Sequence, residues 1–186
     1  MRIHSIDVNP RVLRFLEAVA RQPFTLHLFT GIAEAAEQPF SADYRTYVRQ
    51  LGRAIGDEVA PPRAVVSDRR YQRSIAVRSS VARAMSAERL NIVTARLVDR
   101  GAFDLVVATN VLGYFDDRQL ALALSNIAAM LGPGGYLLHN ESRAGLVETA
   151  DAVGLPALQM RTAVIGGAAP RPLYDAIWLH RKKRTP

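Results

Sequence analysis

Phe103-Asp104-Leu105-Val106-Val107-Ala108-Thr109-Asn110-Val111-Leu112-Gly113-Tyr114-Phe115-Asp116-Asp117 is the stretch whose reading decides the fold. Its first six residues form a near-continuous apolar run, the pattern of a parallel strand covered on both faces. Thr109 and Asn110 then stand at the strand's carboxyl end. Asp116 can cap the helix that follows, with Gln119 completing a capping box, and Leu120, Leu124, Ile127 and Leu131 recur at helical spacing. Gly132-Pro133-Gly134-Gly135 should stop that helix, because glycine supplies a left-handed cap and proline cannot continue it. Tyr136 to His139 then opens another strand, so this region reads strand, helix, strand.

The reading extends in both directions from there. At the start of the chain, residues 2–7 alternate and end on Asp7. Asn9 is suited to the N-cap and Pro10 to the first helical position, with Val12, Leu13, Leu16 and Val19 on one apolar face. Residues 24–29 suit a short strand, and Ser41 can cap a helix carrying Tyr44, Val48, Leu51 and Ile55 that ends near Gly56. Pro61-Pro62 and an arginine-rich stretch then break the pattern, so residues 22–90 read as an elaboration on a regular fold. Residues 91–98 are apolar and β-branched enough for a strand. After His139 the text suggests a helix over 143–153 and strands over 158–165 and 174–179. A turn from Gly166-Gly167 to Pro172 would join those two strands as an antiparallel hairpin.

Length and composition set the frame. The chain has 186 residues, 49% of them hydrophobic, which is enough for an ordinary core in one domain over 1–186 and excludes wholesale disorder. It has no cysteine, so disulfides, thiolate metal sites and cysteine nucleophiles are excluded. No signal-peptide pattern opens the chain and no apolar run is long enough for a bilayer, so a cytoplasmic protein without a membrane partner is expected. The net charge of +7 comes mostly from arginine. It reads either as an ordinary basic surface or as an attraction for an anionic partner such as nucleic acid. Arg181 to Arg184 are one of its denser places.

The stretch from Phe103 through the Gly132-Pro133-Gly134-Gly135 turn to Asn140 resembles the second half of the class I S-adenosylmethionine-dependent methyltransferases. It is most similar to the chemotaxis-receptor glutamate methyltransferases, which carry an Asn-Val-Leu-x-Tyr-Phe segment followed by a Pro-Gly-Gly strand. The resemblance implies an α/β fold: a Rossmann-like, mostly parallel sheet with helices on both faces and a C-terminal antiparallel hairpin. The cofactor it implies is S-adenosylmethionine, and the methyl acceptor stays unknown. Ser5-Ile6-Asp7-Val8-Asn9-Pro10 would be the family's second strand. The family's glycine-rich turn precedes that strand, and only six residues precede Asp7, so the first strand and helix of the family are expected to be missing and the chain truncated. Such a chain should bind cofactor poorly. The Asp7 and Phe103 strands should then either pair directly or leave apolar edges exposed.

The same resemblance assigns roles. Asp7, with Val8 beside it, would accept the ribose hydroxyls, Thr94 and Arg96 would pass beside the adenine, and Asn110 and Val111 would line the cofactor. Tyr114 would face the methyl group as the catalytic candidate. Plainer readings stand beside these: Asp7 as a helix cap, Arg96 as a solvent-facing residue, Asn110 as a turn former, and Tyr114 with Phe115 as a core staple. His139, Asn140 and Glu141 follow the next strand and could position an acceptor, but no set of metal ligands accompanies them. A second reading is a non-catalytic domain that binds nucleic acid or a protein through its arginine-rich surface.

Overall fold

The computed structural model describes residues 2–167 and 172–184. Its contacts divide into two compact units, Met1–Arg89 with Val164–Tyr174, and Leu90–Ala163 with Asp175–Pro186.

In the first unit, β1 (Ile3–Asp7) leads into α1 (Pro10–Arg21). The entry is built as the sequence suggests: the Asn9 side chain accepts from the Arg11 amide, and Pro10 takes the first helical position. Leu13 and Val19 are buried, while Val12 stays partly exposed. β1 pairs in parallel with β5 (Met85–Arg89), in a register that sets Asp7 opposite Arg89, and α1 packs on this pair. Between them lies the elaboration, an antiparallel three-stranded sheet in the order β2 (Thr25–Phe29), β4 (Tyr71–Val77), β3 (Gly56–Val59). The central strand β4 supplies buried Ile75 and Val77 and also a buried Arg73, which donates to the Arg49 carbonyl and the Glu58 carboxylate. α2 (Ala42–Gln50) is capped by Ser41 through the Tyr44 amide. It stops short of the expected Gly56, because Gly52 adopts a left-handed φ of 78° there and Gly56 starts β3. Two single turns, α3 (Arg63–Val66) and α4 (Ser79–Ala82), flank β4.

In the second unit, β6 (Phe103–Ala108) pairs in parallel with β7 (Leu131–His139). The helix between them, α5 (Asp117–Met130), has both hydrogen bonds of the Asp116–Gln119 capping box. Helix α6 (Leu146–Ala152) packs on α5, and Leu112, Leu120, Leu124, Ile127, Leu131, Leu137, Leu146 and Leu155 form one buried core. The glycine turn belongs to β7 and does not merely precede it. Leu131 already pairs with Phe103, and the residues up to Gly135 bulge out before Tyr136 pairs with Leu105. Gly134, at φ 79°, makes that bulge possible. β7 also pairs antiparallel with β9 (Leu173–Arg181), and β8 (Ala157–Gly166) lies beside β9. Consecutive strands are thus neighbours, as a hairpin requires. Most of its expected turn falls at 168–171, outside the described residues.

Three expectations are corrected. The sheet is not mostly parallel: parallel pairing is confined to β1 with β5 and β6 with β7, and the strands lie in three separate sheets. Residues 91–98 are not a strand, because the Asn91 side chain accepts from the Val93 amide and its carbonyl from the Thr94 and Ala95 amides, curling the backbone into a turn. Asn126 then holds that turn through the Ile92 and Val93 carbonyls. Third, β6 is not covered on both faces: Leu105 and Val107 are 50% and 57% exposed. β6 ends its sheet, with β7 on one side only.

Candidate active site

The carboxyl ends of parallel strands are where open α/β sheets hold ligands, since the loops there diverge and leave backbone groups unpaired. At the end of β6, Asn110 takes a left-handed backbone with φ 55°, which asparagine tolerates better than other residues with a side chain. That conformation is clamped from β7. The Asn110 amide donates to Asn140 Oδ1 at 2.9 Å, and Asn140 Nδ2 donates back to Asn110 Oδ1 at 3.1 Å. Two strand ends are thus tied by a reciprocal pair of amides, which leaves the Asn110 Nδ2 hydrogens free to face solvent.

The next turn, Leu112–Tyr114, is anchored by fully buried Leu112 and presents Tyr114 outward at 83% exposure. Glu141 lies against this turn. A Cβ added at Gly113 would sit 2.6 Å from Glu141 Oε2, so only glycine lets the carboxylate approach. Arg143 fixes the far side, donating to the Phe115 carbonyl and the Asp117 carboxylate.

Behind Asn140 and Glu141 lies a buried pair of imidazoles. His139 and His180 are both fully buried, with Nε2 atoms 2.9 Å apart, and the Trp178 ring stacks on His139. Their protons follow from the partners. The Leu155 carbonyl can only accept, so His180 Nδ1 donates to it at 2.8 Å, and in a neutral ring its Nε2 must be an acceptor. His139 therefore donates through Nε2, and its Nδ1 accepts the Glu141 amide at 3.2 Å. Burial, with His180 alongside, pushes His139 down to about 4, and burial also lowers His180. Both rings stay neutral and act as a rigid support for residues 140 and 141.

The remaining sequence candidates lie elsewhere. In the first unit, Asp7 ends β1 half-buried; one carboxylate oxygen accepts the Asn9 amide at 2.7 Å, and exposed Val8 follows it. Asp7 thus steadies the start of α1 while its other oxygen stays available. Asn110, Val111 and Tyr114 share one turn region in the second unit. Thr94 lies in the Asn91 turn. Arg96 lines a cavity of about 290 Å³ with Leu97, Gly101, Ala102 and Met130, at the amino end of β6 and so opposite Asn110. The histidine pair and the Gly113–Glu141 contact were not foreseen as a unit. Among the described residues no cluster of side chains could hold a metal ion, and no helix is long and apolar enough to cross a membrane.

Comparison with known proteins places this geometry. Residues 63–153 match the family described as CheR methyltransferase, SAM binding domain. The match takes in Asn110, Tyr114, Asn140 and Glu141, and it also covers β4 and β5; Asp7 lies outside it. A tenellin synthetase of Beauveria bassiana is 49% identical over 43 residues, 23% of this chain, and the chain spans about 1% of the length of that curated relative. Among solved structures, a SAM-dependent methyltransferase of Methanosarcina mazei aligns with 99% of this chain and 83% of its own at TM-score 0.55 and 11% identity, a likeness of fold. The N-methyltransferase NodS of Bradyrhizobium japonicum WM9, solved with S-adenosyl-L-homocysteine, aligns with 56% of this chain and 62% of its own at TM-score 0.40 and 22% identity. Residues 63–153 thus carry the likeness to the CheR-type SAM binding domain, and the fold over nearly the whole chain is like that of a SAM-dependent methyltransferase.

Proposed function

We propose that the protein transfers a methyl group from S-adenosylmethionine to an acceptor that docks beside Tyr114. The observation that carries this reading is the Asn110–Asn140 clamp at the carboxyl ends of β6 and β7, inside the segment that matches the SAM binding domain. The residues suit the cofactor in kind. Asn110 offers amide hydrogens from a backbone held in place. When bound, the cofactor supplies an already activated sulfonium methyl, so the protein's task is mainly positioning. Asn110 with Val111 would line the methionyl side. Tyr114 would flank the incoming acceptor and exclude water. Arg143 holds the turn that carries Tyr114, and the neutral imidazole pair supports Asn140 from beneath. Arg96, at the far end of β6, has no part in this reading.

The test is isothermal titration with S-adenosylhomocysteine on the chain, and on any longer form encoded in frame upstream. Asn110→Ala should weaken binding at least tenfold with an unchanged circular dichroism spectrum. No binding by either form, or full affinity in Asn110→Ala, would remove the cofactor from this site.

A further inference from the structure

We infer that a second, separate site at the opposite end of β7 binds the sugar-phosphate backbone of a single-stranded nucleic acid. A cavity of about 390 Å³ there is lined by Pro156, Ala157, Leu158, Arg181, Lys183 and Arg184. Arg181 pairs with Tyr136, three residues before His139, so the cavity lies about 10 Å along the strand from the imidazole pair.

Two of its three cations, Arg181 and Arg184, have no carboxylate partner among the described residues. Arg181 sits over the Tyr136 ring at 5.6 Å and reaches the Gly134 carbonyl, and Lys182 Nζ donates to the Leu131 carbonyl at 2.6 Å. Neither has a carboxylate partner among the described residues, and nor does Arg184. Only Lys183 has one, the exposed Asp151. Two guanidinium groups converge over Gly134: a Cβ there would lie 3.4 Å from Arg184 Nε and 3.6 Å from an Arg181 Nη. The two cations are therefore within about 7 Å of each other, inside one Debye length at physiological salt. Like charges so placed repel, and an anion between them turns that repulsion into two charge-assisted hydrogen bonds. Because Gly134 has no side chain, the space between them is open.

Pro156, Ala157 and Leu158, which is 56% exposed, place an apolar wall beside the cations. Cations for phosphates beside apolar surface favour a flexible single strand, whose unpaired bases can turn onto that wall, over a duplex, whose bases are stacked inside. The +7 net charge of the chain favours the same partner.

Fluorescence anisotropy with a labelled oligothymidylate, over a salt series on the full chain, tests this. Binding that weakens with salt at a log–log slope near −2 is expected, about 0.7 for each of three phosphates neutralised. Arg184→Gln, which alters a side chain with no structural contact, should flatten the slope by about 0.7. The double variant Arg181→Gln/Arg184→Gln should weaken low-salt binding at least tenfold. Arg11→Gln/Arg14→Gln removes the same charge from α1 and should change little. The proposal is overturned if no salt-dependent binding occurs, or if both double variants lose affinity equally, which would indicate a diffuse field. Displacement of the oligonucleotide by millimolar inorganic phosphate at constant ionic strength would also overturn it.

Discussion

Acidification should destabilise the second unit through the His139–His180 pair well before the carboxylates respond. Each imidazole nitrogen of the pair is committed: one to the Leu155 carbonyl, two to each other, and one to the Glu141 amide. A further proton on His180 Nε2 would set two N–H groups against each other, and one on His139 Nδ1 would oppose the Glu141 amide. Protonation anywhere in the chain of bonds breaks a link, in a place water does not reach. In the folded protein His139 therefore takes up its proton only near 4, against 6.5 ordinarily. The unfolded chain binds a proton as pH falls through 6.5, and the fold does not follow until about 4. The stabilisation is thus complete above 6.5 and is lost progressively down to about 4. At about 1.4 kcal/mol per pH unit, the full interval amounts to about 3 kcal/mol. Urea unfolding followed by circular dichroism, repeated from pH 8 down to about 4.5, measures it. The groups whose acids are held low by arginines, Glu34 by Arg45 and Asp68 by Arg70, act mainly below that range. His139→Gln keeps a donor toward His180 but cannot titrate, and its stability should be much flatter with pH. A wild-type stability that does not fall over this range, or an equal fall in His139→Gln, would refute the reasoning.

Other expectations are equally direct. Asp116→Ala removes one half of the α5 capping box and should lower stability by about 1 kcal/mol in the same urea experiment, with little effect on cofactor binding. Asn110→Val places a β-branched residue at φ 55° and discards the bond that Asn140 Nδ2 donates to the Asn110 side chain. It should cost about 2 kcal/mol by thermal or urea unfolding, whereas Asn110→Gly, which suits that backbone, should cost less while still impairing binding.

What could be read from the chain beforehand was mostly what short-range chemistry decides. Asn9 and Pro10 announce α1, Ser41 announces α2, and Asp116 with Gln119 announces α5, because each cap is satisfied within three residues. Errors came where distant groups decide. Residues 91–98 have the composition of a strand, but Asn126 in α5 captures the Ile92 and Val93 carbonyls, and the Leu97 amide meets Met130 Sδ. β4 was obscured by Arg73, a charge in the middle of a buried strand, which becomes explicable only once Glu58 and the Arg49 carbonyl are seen beside it. The site divides in the same way. Asn110, Val111 and Tyr114 were legible as neighbours in one segment, while its support was not. His139 and His180 are 41 positions apart and meet only through the register that sets Leu137 opposite His180 and His139 opposite Trp178.

The contact between Gly113 and Glu141 has a consequence for how this protein can diverge. A larger residue at 113 must turn the Glu141 carboxylate aside, which a flexible acid side chain can do by changing rotamer. Exchange at 113 would therefore leave the backbone of the turn in place and re-aim the charge beside it, so that the surface offered to an incoming acceptor can be retuned without rebuilding the fold.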